Sequence, residues 1–198
     1  IYRTLFYLPT VTTGVATAIL WQWIFNTQFG VINIALSKIG ITGPGWLTTR
    51  TWAMPSLIIM SMWGVGSPMI IYLAGIKNVP ESLYEAAEID GAGRWRQFFS
   101  ITLPLITSSI FYNATIGIIG SFQVFTQAYV ITKGGPADAT LFYVLYLYRT
   151  AFENLRMGYA SALAWILFLI IMFFTFIQLS MAKHWVYYES ARDDGGVV

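Results

Sequence analysis

The chain has 198 residues, of which 57% are hydrophobic and only 10% charged, where a soluble domain carries about 25% charged residues. Nine acidic against eleven basic side chains leave a net charge of +2. This excludes a basic nucleic-acid-binding surface and, with so much apolar content, a disordered chain. Too few polar side chains remain to coat a water-soluble globule, and a mean hydropathy of +0.63 points to a membrane.

Position says more than percentage. No Asp, Glu, Lys or Arg occurs over 4–37, 51–76, 97–132 or 157–182, windows of 34, 26, 36 and 26 residues. About 20 predominantly apolar residues cross a bilayer core, so the windows predict an all-α, polytopic transmembrane bundle of four spans. The first span is expected over 2–26, with Pro9 in its opening turns and Trp21 and Trp23 as interfacial anchors. A connector follows. Its residues Val31, Ile32, Ala35 and Ile39 share one face of a short interfacial helix, and Gly40, Gly43, Pro44 and Gly45 turn the chain. The second span is expected over 51–74, where Gly64, Gly66 and Pro68 permit a kink or a close helix approach.

Lys77, Glu81, Glu85, Glu88, Asp90, Arg94 and Arg96 make 77–101 too charged to cross a membrane. This loop reads as helix, glycine break, helix. Asn78 is the expected cap, Pro80 and Glu81 suit the first turn, and Gly91 and Gly93 end the helix. The third span is expected over 104–130 and carries Asn113, Thr115, Ser121, Gln123 and Gln127. After the Gly134-Gly135-Pro136 turn, 140–153 reads as a short surface helix, and the fourth span covers 158–181. Six of the eleven Lys and Arg residues fall on the side of both termini and the 77–101 loop; the small excess favours a cytoplasmic placement of that side.

Enzyme signatures are missing. The chain has no cysteine and a single histidine, His184. It has no H-E-x-x-H, no metal-ligand cluster and no G-x-x-x-x-G-K-[ST] loop to cradle nucleotide phosphates. No metal, cofactor or nucleic acid is expected, and the chain is not expected to be an enzyme. Ion-driven transporters place ionisable groups inside their spans; these spans hold none, so the energy source is expected in a partner.

The loop carries the strongest signal. Glu85-Ala86-Ala87, three residues, Gly91, nine residues, then Ile101-Thr102-Leu103-Pro104 resembles the E-A-A-x3-G-x9-I-x-L-P motif of bacterial ABC importer permeases at every fixed position. Phe6-Tyr7-Leu8-Pro9, Gly30-Val31-Ile32-Asn33, Thr132-Lys133-Gly134-Gly135-Pro136, Gly158-Tyr159-Ala160-Ser161-Ala162 and Trp185-Val186-Tyr187-Tyr188-Glu189 look like the carbohydrate-uptake branch. That branch holds the larger maltose-type, lactose and glycerol-3-phosphate permeases. The resemblance covers nearly all of 1–198. It implies a type I importer permease core and places Ile1 just before the third of six spans, so two further N-terminal spans are expected.

The resemblance implies a multi-pass protein of the bacterial inner membrane, in contact with lipid, with the loop and C-terminus cytoplasmic. Its expected partners are a second related permease, cytoplasmic ATP-binding subunits, an extracytoplasmic solute-binding protein and a sugar. Glu85, Ala86, Ala87, Asp90 and Gly91 would form the coupling helix that docks on the ATPase, with Leu83, Ala86, Ala87 and Asp90 on one face. Sugars are held by amides, hydroxyls and aromatic faces. Trp63, Gly64 and Ser67 of the second span and Asn113, Gly117, Ser121, Gln123 and Gln127 of the third are therefore the candidates for the substrate path. The alternatives are the same machine for another solute, such as glycerol-3-phosphate or a polyamine, and a passive channel or membrane scaffold.

Overall fold

The computed structural model describes residues 2–12 and 14–186. The readings made for the Tyr187-Tyr188-Glu189 tail and for the side chain of His184 lie outside the described residues. Among those residues all regular structure is helical. Two helices, Arg50–Lys77 and Met157–Lys183, are long and apolar enough to cross a membrane. Two further pairs pass the same test as bent spans, Tyr2–Val11 with Gly14–Ile24 and Arg94–Leu105 with Thr107–Phe122. The four charge-free windows fall on these elements. The chain divides into two compact units, Ile1–Ser67 with Gly120–Ile170, and Pro68–Ile119 with Ile171–Val198.

In the first unit, α1 (Tyr2–Tyr7) runs into a 3₁₀ turn, Leu8–Val11, before α2 (Gly14–Ile24) sets off at 106° to it. The first span expected over 2–26 is therefore a broken one. Pro9 has no N–H to continue the ladder and restricts the residue before it, and the Thr12 backbone N–H and hydroxyl both close on the Pro9 carbonyl, at 3.2 and 2.6 Å. Trp21 is buried, its ring 5.0 Å from Phe25 and edge-on to Trp63 at 5.6 Å. It belongs to the core with Ala18, Phe25, Leu57, Met60 and Ile131 and is not the interfacial anchor expected; Trp23 is exposed.

The connector after α2 is folded onto this core. In α3 (Val31–Lys38) the inward residues are Ile32, Asn33 and Leu36, while Val31, Ala35 and Ile39 are exposed, so the helix is rotated away from its expected face. Asn33 sets the rotation. Its amide donates to the Thr27 carbonyl at 3.0 Å and accepts from the Trp46 indole at 2.7 Å, and burying an amide is tolerable only with such partners. In α4 (Arg50–Ser61) the buried Ser56 hydroxyl lies 2.7 Å from the Trp52 carbonyl and 2.9 Å from the Trp46 carbonyl, which ties the connector to the helix. Later in the unit, Arg149 staples the Lys133-Gly134-Gly135-Pro136 turn. Its guanidinium donates to the Lys133 carbonyl and lies 3.8 Å from Glu153. The Thr132 and Thr140 hydroxyls pair at 2.6 Å inside that turn.

The second unit contains α5 (Gly66–Lys77) from Pro68 onward, then α6 (Glu81–Ile89) and α7 (Arg94–Gln97). A π-turn at Phe98–Thr102, α8 (Leu103–Leu105) and the body of α9 (Thr107–Phe122) follow. Between Arg94–Leu105 and Thr107–Phe122 the axis bends by 64°. The π-turn and Pro104 supply the cause, and the Thr107 hydroxyl satisfies the Pro104 carbonyl at 2.7 Å. Helix α5 meets α9 through Gly75, where a Cβ would sit 2.5 Å from the Ser109 hydroxyl oxygen and 3.3 Å from its Cβ; such contacts use small residues to bring helix backbones together. In α10 (Met157–Trp185), which enters this unit at Ile171, Gln178 donates to the Phe111 carbonyl at 3.2 Å and Trp185 packs edge-on to Phe111.

Candidate functional site

Two places concentrate the sequence's functional candidates. The first is the polar loop. Pro80 caps α6, and Glu81 occupies its first turn, where the helix dipole favours an anion. Asn78 is not the cap expected: its N–H still belongs to α5, donating to the Ala74 carbonyl at 3.1 Å. At the other end Gly91 adopts φ +72°. The Gly91 N–H bonds to the Glu88 carbonyl at 3.0 Å and the Ala92 N–H to the Ala87 carbonyl at 2.8 Å. This is the Schellman closure, in which a left-handed residue lets the chain turn back over the last carbonyls. The closure gives the motif's spacing a physical meaning: the carbonyl that receives the 6→1 bond is that of Ala87, and the left-handed residue must follow four positions later.

The loop's two halves are then joined. The Tyr84 hydroxyl and the Thr102 hydroxyl lie 2.7 Å apart, with Thr102 buried, so the helix carrying Glu85-Ala86-Ala87 is hooked to the Ile101-Thr102-Leu103-Pro104 segment. Sequence reasoning missed this pair. Nothing local marks a contact across 18 residues and a glycine break. Leu83, Glu85, Ala86, Asp90 and Gly91 are exposed. Ala87 departs from the expected face: it is half-buried on the side of Tyr84. Among the described residues, the carboxylates of α6 make no ion pair within the chain.

The second place is a cavity of about 610 Å³ within the first unit. It brings together Trp63, Gly64, Ser67, Ser121 and Gln127, five of the predicted path residues, with Thr10, Thr12, Thr17, Leu57, Ile58, Met60 and Phe142 among the rest of its wall. No charged side chain lines it. Trp63 is positioned by the 3₁₀ turn Met62–Val65, which interrupts the helix between α4 and α5, and by the edge of Trp21 behind it. The Thr12 and Thr17 hydroxyls pair at 2.8 Å. The signal for these threonines was the Thr-rich 10–17 stretch in an otherwise apolar span. Arranged this way, the wall offers one aromatic face, aliphatic surface and several neutral hydroxyl and amide groups.

Three predicted path residues are absent from this wall. Gln123 is exposed just past the end of α9, and Asn113 and Gly117 belong to the second unit, where the Asn113 amide N is buried without an acceptor. The third span expected over 104–130 breaks after Phe122 and resumes at Thr126, so Gln127 stands beyond the break, just before the π-turn Ala128–Thr132.

The model of the family described as binding-protein-dependent transport system inner membrane component matches residues 1–185. The chain belongs to this family. Among curated relatives, the probable ABC transporter permease protein YesP of Bacillus subtilis is 48% identical over 197 residues, covering 98% of this chain and 63% of the relative. The lactose transport system permease protein LacF of Rhizobium radiobacter is 36% identical over 189 residues, covering 92% and 63%. A crystal structure of a bacterial ABC transporter involved in the import of the acidic polysaccharide alginate superposes with a TM-score of 0.84 at 28% identity. It covers 92% of this chain and 64% of that one. The chain thus spans under two thirds of the length of these relatives. Membership makes it an all-α inner membrane component of the permease type, consistent with its apolar helices.

Proposed function

We propose that this chain is the core of a permease subunit in an ATP-driven, binding-protein-dependent sugar importer, and is not itself an enzyme. The observation that carries the reading is the exposed acidic helix Glu81–Ile89, closed by the left-handed Gly91 and hooked by Tyr84 to the next membrane segment. Such a helix transmits force. It is short, rigid at both ends and free on its outer face, so a partner that grips Glu85, Ala86 and Asp90 moves the attached span as one body. Cytoplasmic ATP-binding subunits are the proposed partner, which puts the loop and the C-terminus in the cytoplasm. Permease-type relatives support this reading, among them one named for lactose transport.

The proposed path runs through the cavity lined by Trp63, Gly64, Ser67, Ser121 and Gln127. Its uncharged wall suits a neutral, hydroxyl-rich solute, because a charged one would be left without counter-charges in a medium of low dielectric. A second permease and a solute-binding protein complete the proposed assembly. A sugar-bearing binding protein on a related transporter, crystallised with an alginate pentasaccharide, supports the latter.

The test is a purification and transport experiment on the full-length permease. ATP-binding subunits are expected to co-purify, and Glu85→Lys is expected to weaken both their retention and sugar uptake. Co-purification without any ATP-binding subunit, together with uptake untouched by Glu85→Lys, would overturn the coupling role.

A further inference from the structure

The segment that follows the coupling turn has a surface that neither docking nor the path uses. Arg94–Leu105 is helical throughout and lies at 64° to Thr107–Phe122. If the second helix crosses the bilayer, the first runs obliquely along its surface. Its inner side is taken up by its own chain: Thr102 is buried, and Gln97, Ile101 and Leu105 are half-buried. Its outer side is an aromatic stripe. Trp95 is 79% exposed, Phe99 59% and Phe98 39%. Trp95 and Phe99 stack at 6.3 Å, and Phe98 packs edge-on to Phe99 at 5.2 Å.

At about 100° of rotation per residue, Trp95, Phe98 and Phe99 share one stripe, and Arg94 and Arg96 flank it to either side. Both arginines are exposed and make no ion pair within the chain among the described residues. An apolar aromatic stripe edged by cations is the pattern of a helix lying in a lipid–water interface, with rings among the acyl chains and guanidiniums at the phosphates.

We propose that Arg94–Leu105 is a lipid-binding element that recognises anionic phospholipid headgroups through Arg94 and Arg96 and seats itself through Trp95, Phe98 and Phe99. Charge favours lipid over the partner that grips the coupling helix. Helix α6 carries Glu81, Glu85 and Glu88 with no Lys or Arg, while Arg94–Leu105 carries two arginines and no acid. A basic surface that complements the first repels the second; an anionic bilayer does the reverse. The proposed seat fixes the base of the lever, so that motion of the coupling helix passes into the span instead of being lost in sliding along the membrane.

The chain contains no cysteine, so Phe99→Cys gives a unique label site in it. The full-length permease, in the complex it purifies with and with other cysteines replaced, is labelled there with bimane. It is then placed in nanodiscs containing brominated phosphatidylglycerol or brominated phosphatidylcholine. Quenching by both lipids is expected, stronger with phosphatidylglycerol, with the preference falling about fivefold for each of Arg94→Gln and Arg96→Gln. Trp95→Cys, labelled in the same way, gives an independent reading should Phe99→Cys misfold. No quenching by either lipid would mean that protein covers the stripe, and equal quenching by both would mean insertion without headgroup recognition; each overturns the proposal. The readout needs neither substrate nor ATP, so its failure is separable from failure of the importer reading.

Discussion

Gly91 is the residue on which the proposed coupling turn depends. A Cβ there would meet nothing within 4 Å, so its constraint is conformational and not steric. An alanine held at φ +72° costs about 1–2 kcal/mol. Gly91→Ala is therefore expected to reduce sugar-stimulated ATP hydrolysis in the assembled transporter, whereas Gly93→Ala, at φ −68° and equally open, leaves it nearly unchanged. Equal losses at the two positions would show that the turn geometry is irrelevant. Tyr84 and Thr102 offer a second residue-scale check. Tyr84→Phe and Thr102→Val each remove one hydroxyl of the 2.7 Å pair, at about 1 kcal/mol. In thermal-denaturation measurements the double variant is expected to cost less than the two single ones summed. The motif residues were legible in the sequence because their spacing is fixed. The hydroxyl pair was not, because no periodicity links positions on opposite sides of a glycine turn.

At the scale of elements, four apolar windows announced four membrane-spanning segments, but windows of composition carry no information on breaks. Pro9 divided the first element and Pro104, with a π-turn, bent the third. A further break after Phe122 interrupts the third span before Gln127. Conversely, the helix α3 was legible, yet its orientation was not: Asn33 turned the helix because a buried amide demands partners more strongly than a few exposed isoleucines resist water. Helix contact is set by size. Gly75→Val forces a branched side chain into the 2.5 Å approach to Ser109 and is expected to cost about 1–3 kcal/mol by overpacking. Thermal unfolding of the purified permease checks this, and Ser109→Gly is expected to recover part of the loss. A Gly75→Val permease as stable as the parent would contradict the packing described for α5 and α9.

For the whole molecule, the division of labour follows from where charge is absent. The cavity of the first unit is lined by neutral groups around Trp63, and a run of seven charged residues, Lys77 to Arg96, sits on a loop in the second. Trp63→Ala is expected to raise the apparent KM for sugar uptake at least several-fold while ATP-binding subunits remain attached, because it removes the cavity's indole face without touching the loop. Gly64→Leu, at a position where a Cβ meets nothing, is expected to block uptake by filling the path. Purification yields would report whether either variant had merely unfolded. The central claim is that a soluble motor drives this membrane core through the Glu81–Ile89 helix. The direct measurement is sugar uptake into proteoliposomes holding the full-length permease with its partners, with and without internal ATP and external binding protein, for the parent and for Gly91→Pro. The account predicts uptake only when both are supplied, and its loss in Gly91→Pro, whose ring forbids φ +72°. Uptake that continues without ATP and binding protein, at the same rate in both proteins, would contradict it.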